Sequence, residues 1–473
     1  MTTAGETQQG ALGEVEESGP LQISEQDDRQ YRHITLPNKM QVLLISDPDT
    51  DKEAAAMDVR VGQTSDPSHL QGTAHFCEHM LFLGTGKNER THEYAYPDED
   101  YYNAFLNSNG GSSNAFTSDE DTNYFFDVNA GHLDGALDVF SRFFVDPLFT
   151  EGATGRELTA IDNENSKNLN SDPWRLVQVL KAVSSEKHPW HQFGTGNAKT
   201  LGEDPKERGV DTRAELLKFH SKYYSSNLMR LVVLGRGTLD ELQAMAVEKF
   251  STVVNTDADP PSFGGNVPFG PEQVKRRISV VPVKESRDVI MSWPMPPIDK
   301  HYRSKPAGYL SHLVGHEGAG SLLSLLKAKG WANNLSAGPY ESATDWSNFI
   351  VSVECTVEGI EHVDEIVSMT YQYLNMVREE GIQEWIHLET QAIAAMNFRF
   401  SSKGDPMNYV SRLAGNMQTY PPEHTVAGTS LRYEYDPDLV REMLGRLVPG
   451  NMMLVVVTRD FKGTTDKVGR WGG

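Results

Sequence analysis

Cysteine is nearly absent: Cys77 and Cys355 are the only two in the chain and lie far apart. That excludes the disulfide framework of a small secreted domain and fits a reducing compartment. Cationic charge is also short, with 43 Lys and Arg against 66 Asp and Glu, a net charge of −23 and a pI near 5.1. A surface that binds nucleic acid or an anionic membrane needs the opposite excess, so neither is expected as a partner. Long apolar runs are missing too; no stretch nears the roughly 20 residues that span a bilayer. The opening MTTAGETQQGALGEVEESGP has no basic start and no apolar centre. No signal or transit peptide is read there, and the cytoplasm is the expected location.

What is present suffices for large cores. The chain has 473 residues, 38% of them hydrophobic, and exceeds the roughly 250–300 residues at which one core stops growing, so two or more domains are expected. Residues 1–27, rich in Gly, Glu, Gln and Ser, read as a disordered acidic tail. In YRHITLPNKMQVLLISDP a turn at Pro37-Asn38 parts two strands, and in AAAMDVRVG the residues Met57, Val59 and Val61 alternate with Asp58 and Arg60 as in another strand. Helical spacing follows over 73–83, with Gly84 as the residue after its end, and over 131–148 and 151–183 on either side of Pro147. The Pro/Gly-rich segment 255–273 reads as a linker between domains 28–254 and 274–473. NLMRLVVLG from 227 and NMMLVVVT from 451 each close a half, which suggests an internal duplication of about 220 residues and two similar α+β domains.

The stretch GTAHFCEHMLFLGTG carries the chemistry. On a helix His75, Glu78 and His79 stand at i, i+3 and i+4 and share a face. Two imidazoles one turn apart suit a single Zn²⁺, and the carboxylate between them can reach a water at the same ion, an arrangement for hydrolysis. A helix with ordinary polar contacts gives the same pattern, so the motif alone leaves both readings open. Zinc needs a third protein ligand. GRELTAIDNENSKN offers Glu157 and Glu164, seven residues apart on one helical face, one able to ligate while the other supports a histidine.

Together with these, HFCEHMLFLGT, GSSNAFTS, TNYFFDV, ELLKFHSKYYSSNLM and HEGAGSLLS, in this order, resemble the N-terminal half of insulysin-type members of the pitrilysin family of inverted-motif zinc peptidases. The resemblance covers roughly residues 28–470. It implies an α+β half-chamber of two homologous domains, each a mainly antiparallel sheet packed with helices, the second lacking the zinc motif. It implies one Zn²⁺ per chain on His75, His79 and Glu164, with Glu78 as general base and Glu157 supporting. SSNAF resembles the family's edge strand beside the metal, which implies that Asn114 and Ala115 present backbone groups to a peptide added as a strand. NNLSAGP stands where insulysins have a strand for the substrate N-terminus, with Ala337 and Pro339 in place of the residues expected there. The H-x-x-x-H-E run at His312, His316 and Glu317 has its glutamate off the required position and is not read as a metal site. Cys77 is read as a small hydrophobe rather than a nucleophile.

The expected function is therefore a zinc metalloendopeptidase acting on peptides or small proteins. Family members are longer, and their C-terminal half supplies an Arg and a Tyr that bind substrate and stabilise the oxyanion. The expected partner is accordingly such a C-terminal half or a second copy of this chain. The alternative is a weak or inactive half-length homologue serving as a binding or assembly subunit.

Overall fold

A computed structural model of the chain describes residues 14–86 and 96–465. Their strands form two sheets. The first comprises β1 (Glu16–Glu17), β2 (Gln30–Thr35), β3 (Gln41–Ser46), β4 (Lys52–Val59), β5 (Ser112–Thr117), β6 (Thr122–Asn129) and β7 (Met229–Gly235), in the order β1-β2-β3-β7-β4-β6-β5. The second comprises β8 (Arg276–Val280), β9 (Arg287–Met295), β10 (Ala332–Ser342), β11 (Ser347–Cys355) and β12 (Met453–Thr458), in the order β10-β11-β9-β12-β8. Helices pack on both, which makes the fold α+β.

The two sheets repeat one plan. In the first, β3 runs parallel to β7, and β7, β4, β6 and β5 follow antiparallel. In the second, β8 runs parallel to β12, and β12, β9, β11 and β10 follow antiparallel. Strands β7 and β12, the two apolar runs that close the halves in sequence, thus hold equivalent places.

Helices α1 (Thr73–Leu81), α2 (Tyr101–Ser108), α3 (Leu133–Val145) and α4 (Glu151–Asn168) lie in the first half, followed by α5 (Asp172–Val183). One face of the first sheet gives Val42, Leu44, Met57, Tyr124 and Leu231 to a core shared with Phe76 and Cys77 of α1 and Phe140 of α3. The expected two-stranded opening is present, with Thr35 opposite Gln41 across a turn in which Lys39 has φ 68°. Helix α1 ends at Leu81, short of the expected residue 83, and Gly84 (φ 81°) follows it.

Two expectations need correction. The tail read as disordered over 1–27 is ordered from residue 14: Glu16 pairs with Thr35, Leu21 and Ile23 pack against a core cluster, and Ser24 Oγ donates to the Arg399 carbonyl at 2.7 Å. Residues 1–13 lie outside the described residues. β4 was expected to alternate between core and solvent, yet both its faces are buried. The helix Pro406–Thr419, from the far half of the sequence, lays Val410, Leu413, Ala414 and Met417 over Ala54, Ala56 and Val232. Asp58 is sealed beneath it, accepting from Asn123 Nδ2 at 2.8 Å and Gln418 Nε2 at 3.0 Å. The segment 255–273 holds no helix or strand, and Phe269 within it is buried with Trp190, Trp346 and Val455.

Candidate active site

Helix α1 is set by its entry. Gly72 has φ +98°, and a Cβ there would fall 2.4 Å from Gly196 Cα, so glycine is required on both counts. The buried Asp66 carboxylate accepts the Gly72 and Ala74 N–H groups at 2.7 Å each and satisfies donors that the first turn leaves open. Burial pushes its pKa up to about 7 against those two hydrogen bonds. Helix α4 is capped by Thr150, whose Oγ accepts the Ala153 N–H, and it lies against α1.

This packing brings the sequence-predicted residues together. Glu164 Oε2 lies 3.4 Å from His75 Nε2 and 3.7 Å from His79 Nε2. The ligand atoms of the three residues all lie within 4.8 Å of one another. Each imidazole is oriented from behind: His75 Nδ1 meets the Thr195 carbonyl at 2.7 Å and His79 Nδ1 meets Glu157 Oε2 at 2.9 Å. An acceptor at Nδ1 holds a proton there, so each ring, once it gives up its Nε2 proton, presents that lone pair toward Glu164. Two imidazole nitrogens and a carboxylate oxygen converging in this way fit a zinc ion, whose usual donors these are.

Electrostatics follow the geometry. Hydrogen bonds from His75 and His79 hold the Glu164 carboxyl far below the usual carboxylate range. Burial opposes charge on His79, but Glu157 and Glu164 outweigh it and raise its pKa to about 9. Glu78 is 7% exposed, and burial raises its pKa while His75 and the Thr117 hydroxyl oppose the shift.

Strand β5 borders the site at the edge of its sheet and, among the described residues, pairs only with β6. A cleft of about 570 Å³ runs between them, lined by the histidines, Glu78, Glu164, Ala115 and the exposed Trp174. Sequence reasoning missed Asp66, Thr117, Thr195 and Trp174. Only the position of Asp66, just ahead of the motif helix, gave a signal; the others reach the site through tertiary packing.

Residues 41–186 match the family "Insulinase (Peptidase family M16)", 212–394 match "Peptidase M16 inactive domain", and 398–473 match "Middle or third domain of peptidase_M16". The chain is 47% identical over 450 residues to the insulin-degrading enzymes of Bos taurus and of Homo sapiens, covering 95% of this chain and 43% of each relative. It thus spans less than half the length of these curated relatives. Among solved structures it superposes on pitrilysin with a TM-score of 0.90 and 30% identity, over 96% of this chain and 47% of that one.

Proposed function

We propose, from the premise that this chain belongs to the insulinase family of peptidases, peptidase family M16, that it is the zinc-bearing half of a metalloendopeptidase. The observation that carries this is the convergence of His75 Nε2, His79 Nε2 and Glu164 Oε2 beside the buried carboxylate of Glu78. His75, His79 and Glu164 would hold the ion, and zinc supplies Lewis acidity that polarises a carbonyl and acidifies water.

The chain's own residues do the rest. Thr195 and Glu157 keep the two imidazoles in the tautomer that presents Nε2. Glu78, its pKa raised by burial, takes a proton from the attacking water and returns it to the leaving amine. The free edge of β5 holds the peptide by its main chain at Asn114 and Ala115, so that sequence matters little and any extended segment can be bound. Among the described residues no helix is long and apolar enough to cross a membrane, which is compatible with action on peptides in the cytoplasm.

We further propose that full activity needs a second half, because the chain spans 43% of its insulin-degrading relatives. The test is cleavage of a quenched peptide by the zinc-loaded chain, with and without the C-terminal half of such a relative, and with Glu78→Gln as control. Cleavage that depends on Glu78 and rises with the added half is expected. A zinc-loaded chain that cleaves nothing in either arm would overturn the reading in favour of a binding or assembly subunit.

A further inference from the structure

We propose that Thr117 is a positioning residue for Glu78, linking the strand on which a peptide lies to the carboxylate that takes the proton. This rests on the peptidase reading above. Thr117 is the last residue of β5, and its hydroxyl donates to Glu78 Oε2 at 2.5 Å. Along β5, Ser112, Asn114 and Phe116 are exposed whereas Ser113, Ala115 and Thr117 are half-buried, so the Thr117 side chain turns inward to α1.

The donor is held from several sides. Thr117 pairs with Thr122, whose hydroxyl donates to the Val61 carbonyl at 2.8 Å. The turn that follows is closed by Ser118 N–H to the Asp121 carbonyl at 2.8 Å and Ser118 Oγ to Asp121 Oδ1 at 2.7 Å. A β-branched side chain on so fixed a backbone has few rotamers to visit. With Oε2 of Glu78 pinned, Oε1 is left to accept the proton of the attacking water. Because the donor sits on β5, any movement of that strand as a peptide pairs with it is passed to Glu78.

Thr117→Val keeps the shape and removes the donor; Thr117→Ser keeps the donor. Both are compared with wild type after zinc loading, with the complementary half added where turnover requires it. Readouts are zinc content, kcat and KM on a quenched peptide, and calorimetric affinity for a peptide hydroxamate whose hydroxyl donates to Glu78. Thr117→Val should retain zinc and KM while kcat and hydroxamate affinity each fall about 10-fold, the scale of one hydrogen bond to a charged group. Thr117→Ser should recover most of that loss, and in a Glu78→Gln background Thr117→Val should have no further effect on kcat. Wild-type kcat in Thr117→Val, no recovery in Thr117→Ser, or an equal loss in the Glu78→Gln background would overturn the assignment. Loss of zinc or of folding in Thr117→Val would overturn it in favour of a structural role. A wild-type protein that neither cleaves nor binds the hydroxamate would instead refute the peptidase reading itself.

Discussion

The side-chain oxygen of Asn114 accepts the backbone N–H of Ala115 at 2.9 Å on the edge strand beside the site. This N–H is therefore taken by a side chain rather than by the ladder with β6. An unpaired edge is a template for any extended chain, and occupying its donors is one way to blunt it. If a peptide adds to β5, it must displace this contact. Asn114→Ala should therefore tighten binding of an uncleavable extended peptide by about 2–10-fold, the worth of one neutral hydrogen bond, as measured by calorimetry. Weaker binding would show that the Asn114 side chain itself holds the peptide.

The metal site makes a graded expectation. His79→Ala and Glu164→Gln each delete a ligand and should lose most of the zinc measured by elemental analysis. Glu157→Gln leaves the ligands but exchanges the charged acceptor behind His79 for a neutral amide, and should weaken zinc by about 10-fold in a chelator competition. Equal zinc retention in all three variants would refute the assignment.

How far the sequence reaches can be seen at these residues. His75, Glu78 and His79 are legible because helical spacing alone puts them on one face, and Glu157 and Glu164 because seven residues make two turns. The equivalent strands β7 and β12, one in each sheet, are legible because each is a continuous apolar run. Thr195 and Thr117 are not, since each meets α1 only after segments 39 or more residues away have packed together. The helix Pro406–Thr419 shows an apolar face, but periodicity cannot say which sheet that face covers, and it crosses back to the first. The order of residues 14–27 is likewise tertiary in origin: a short polar segment gains its shape from pairing with β2 and packing under the later helices.

Asp66 gives a prediction that separates support of α1 from chemistry. Asp66→Ala strips acceptors from two buried N–H groups at the start of the motif helix. Leaving them unsatisfied should cost at least about 2 kcal/mol of stability in urea unfolding and weaken zinc binding, because His75 follows Ala74 directly. A variant as stable as wild type would mean that the helix start is held from elsewhere.

For the base, Glu78→Gln keeps the shape of the side chain and its contact with Thr117 but cannot take up a proton. Zinc content should be unchanged, and any peptide cleavage should fall by at least about 10²-fold. Cleavage at the wild-type rate would require a different base.

The last expectation concerns acid. His33 on β2 is 2% exposed, with Nδ1 2.9 Å from Ser18 Oγ. Burial, reinforced by the charge of Arg230, pushes its pKa down to about 4 from an ordinary value of 6.5. Between pH 6.5 and 4 the unfolded chain binds a proton here that the folded chain does not, so stability rises with pH across this window. The contribution is complete above pH 6.5 and is lost as the pH falls toward 4, by up to about 3 kcal/mol. His33→Gln can keep the bond to Ser18 and does not titrate. Urea unfolding at pH 7 and pH 4 should therefore show a smaller acid loss in His33→Gln than in wild type. Because Ser18 also donates its backbone N–H to the His33 carbonyl at 2.9 Å, protonation of this one ring should loosen the ordered N-terminal segment first. Hydrogen exchange should show that loosening before the sheet opens, and equal acid losses in the two proteins would place the sensitivity elsewhere.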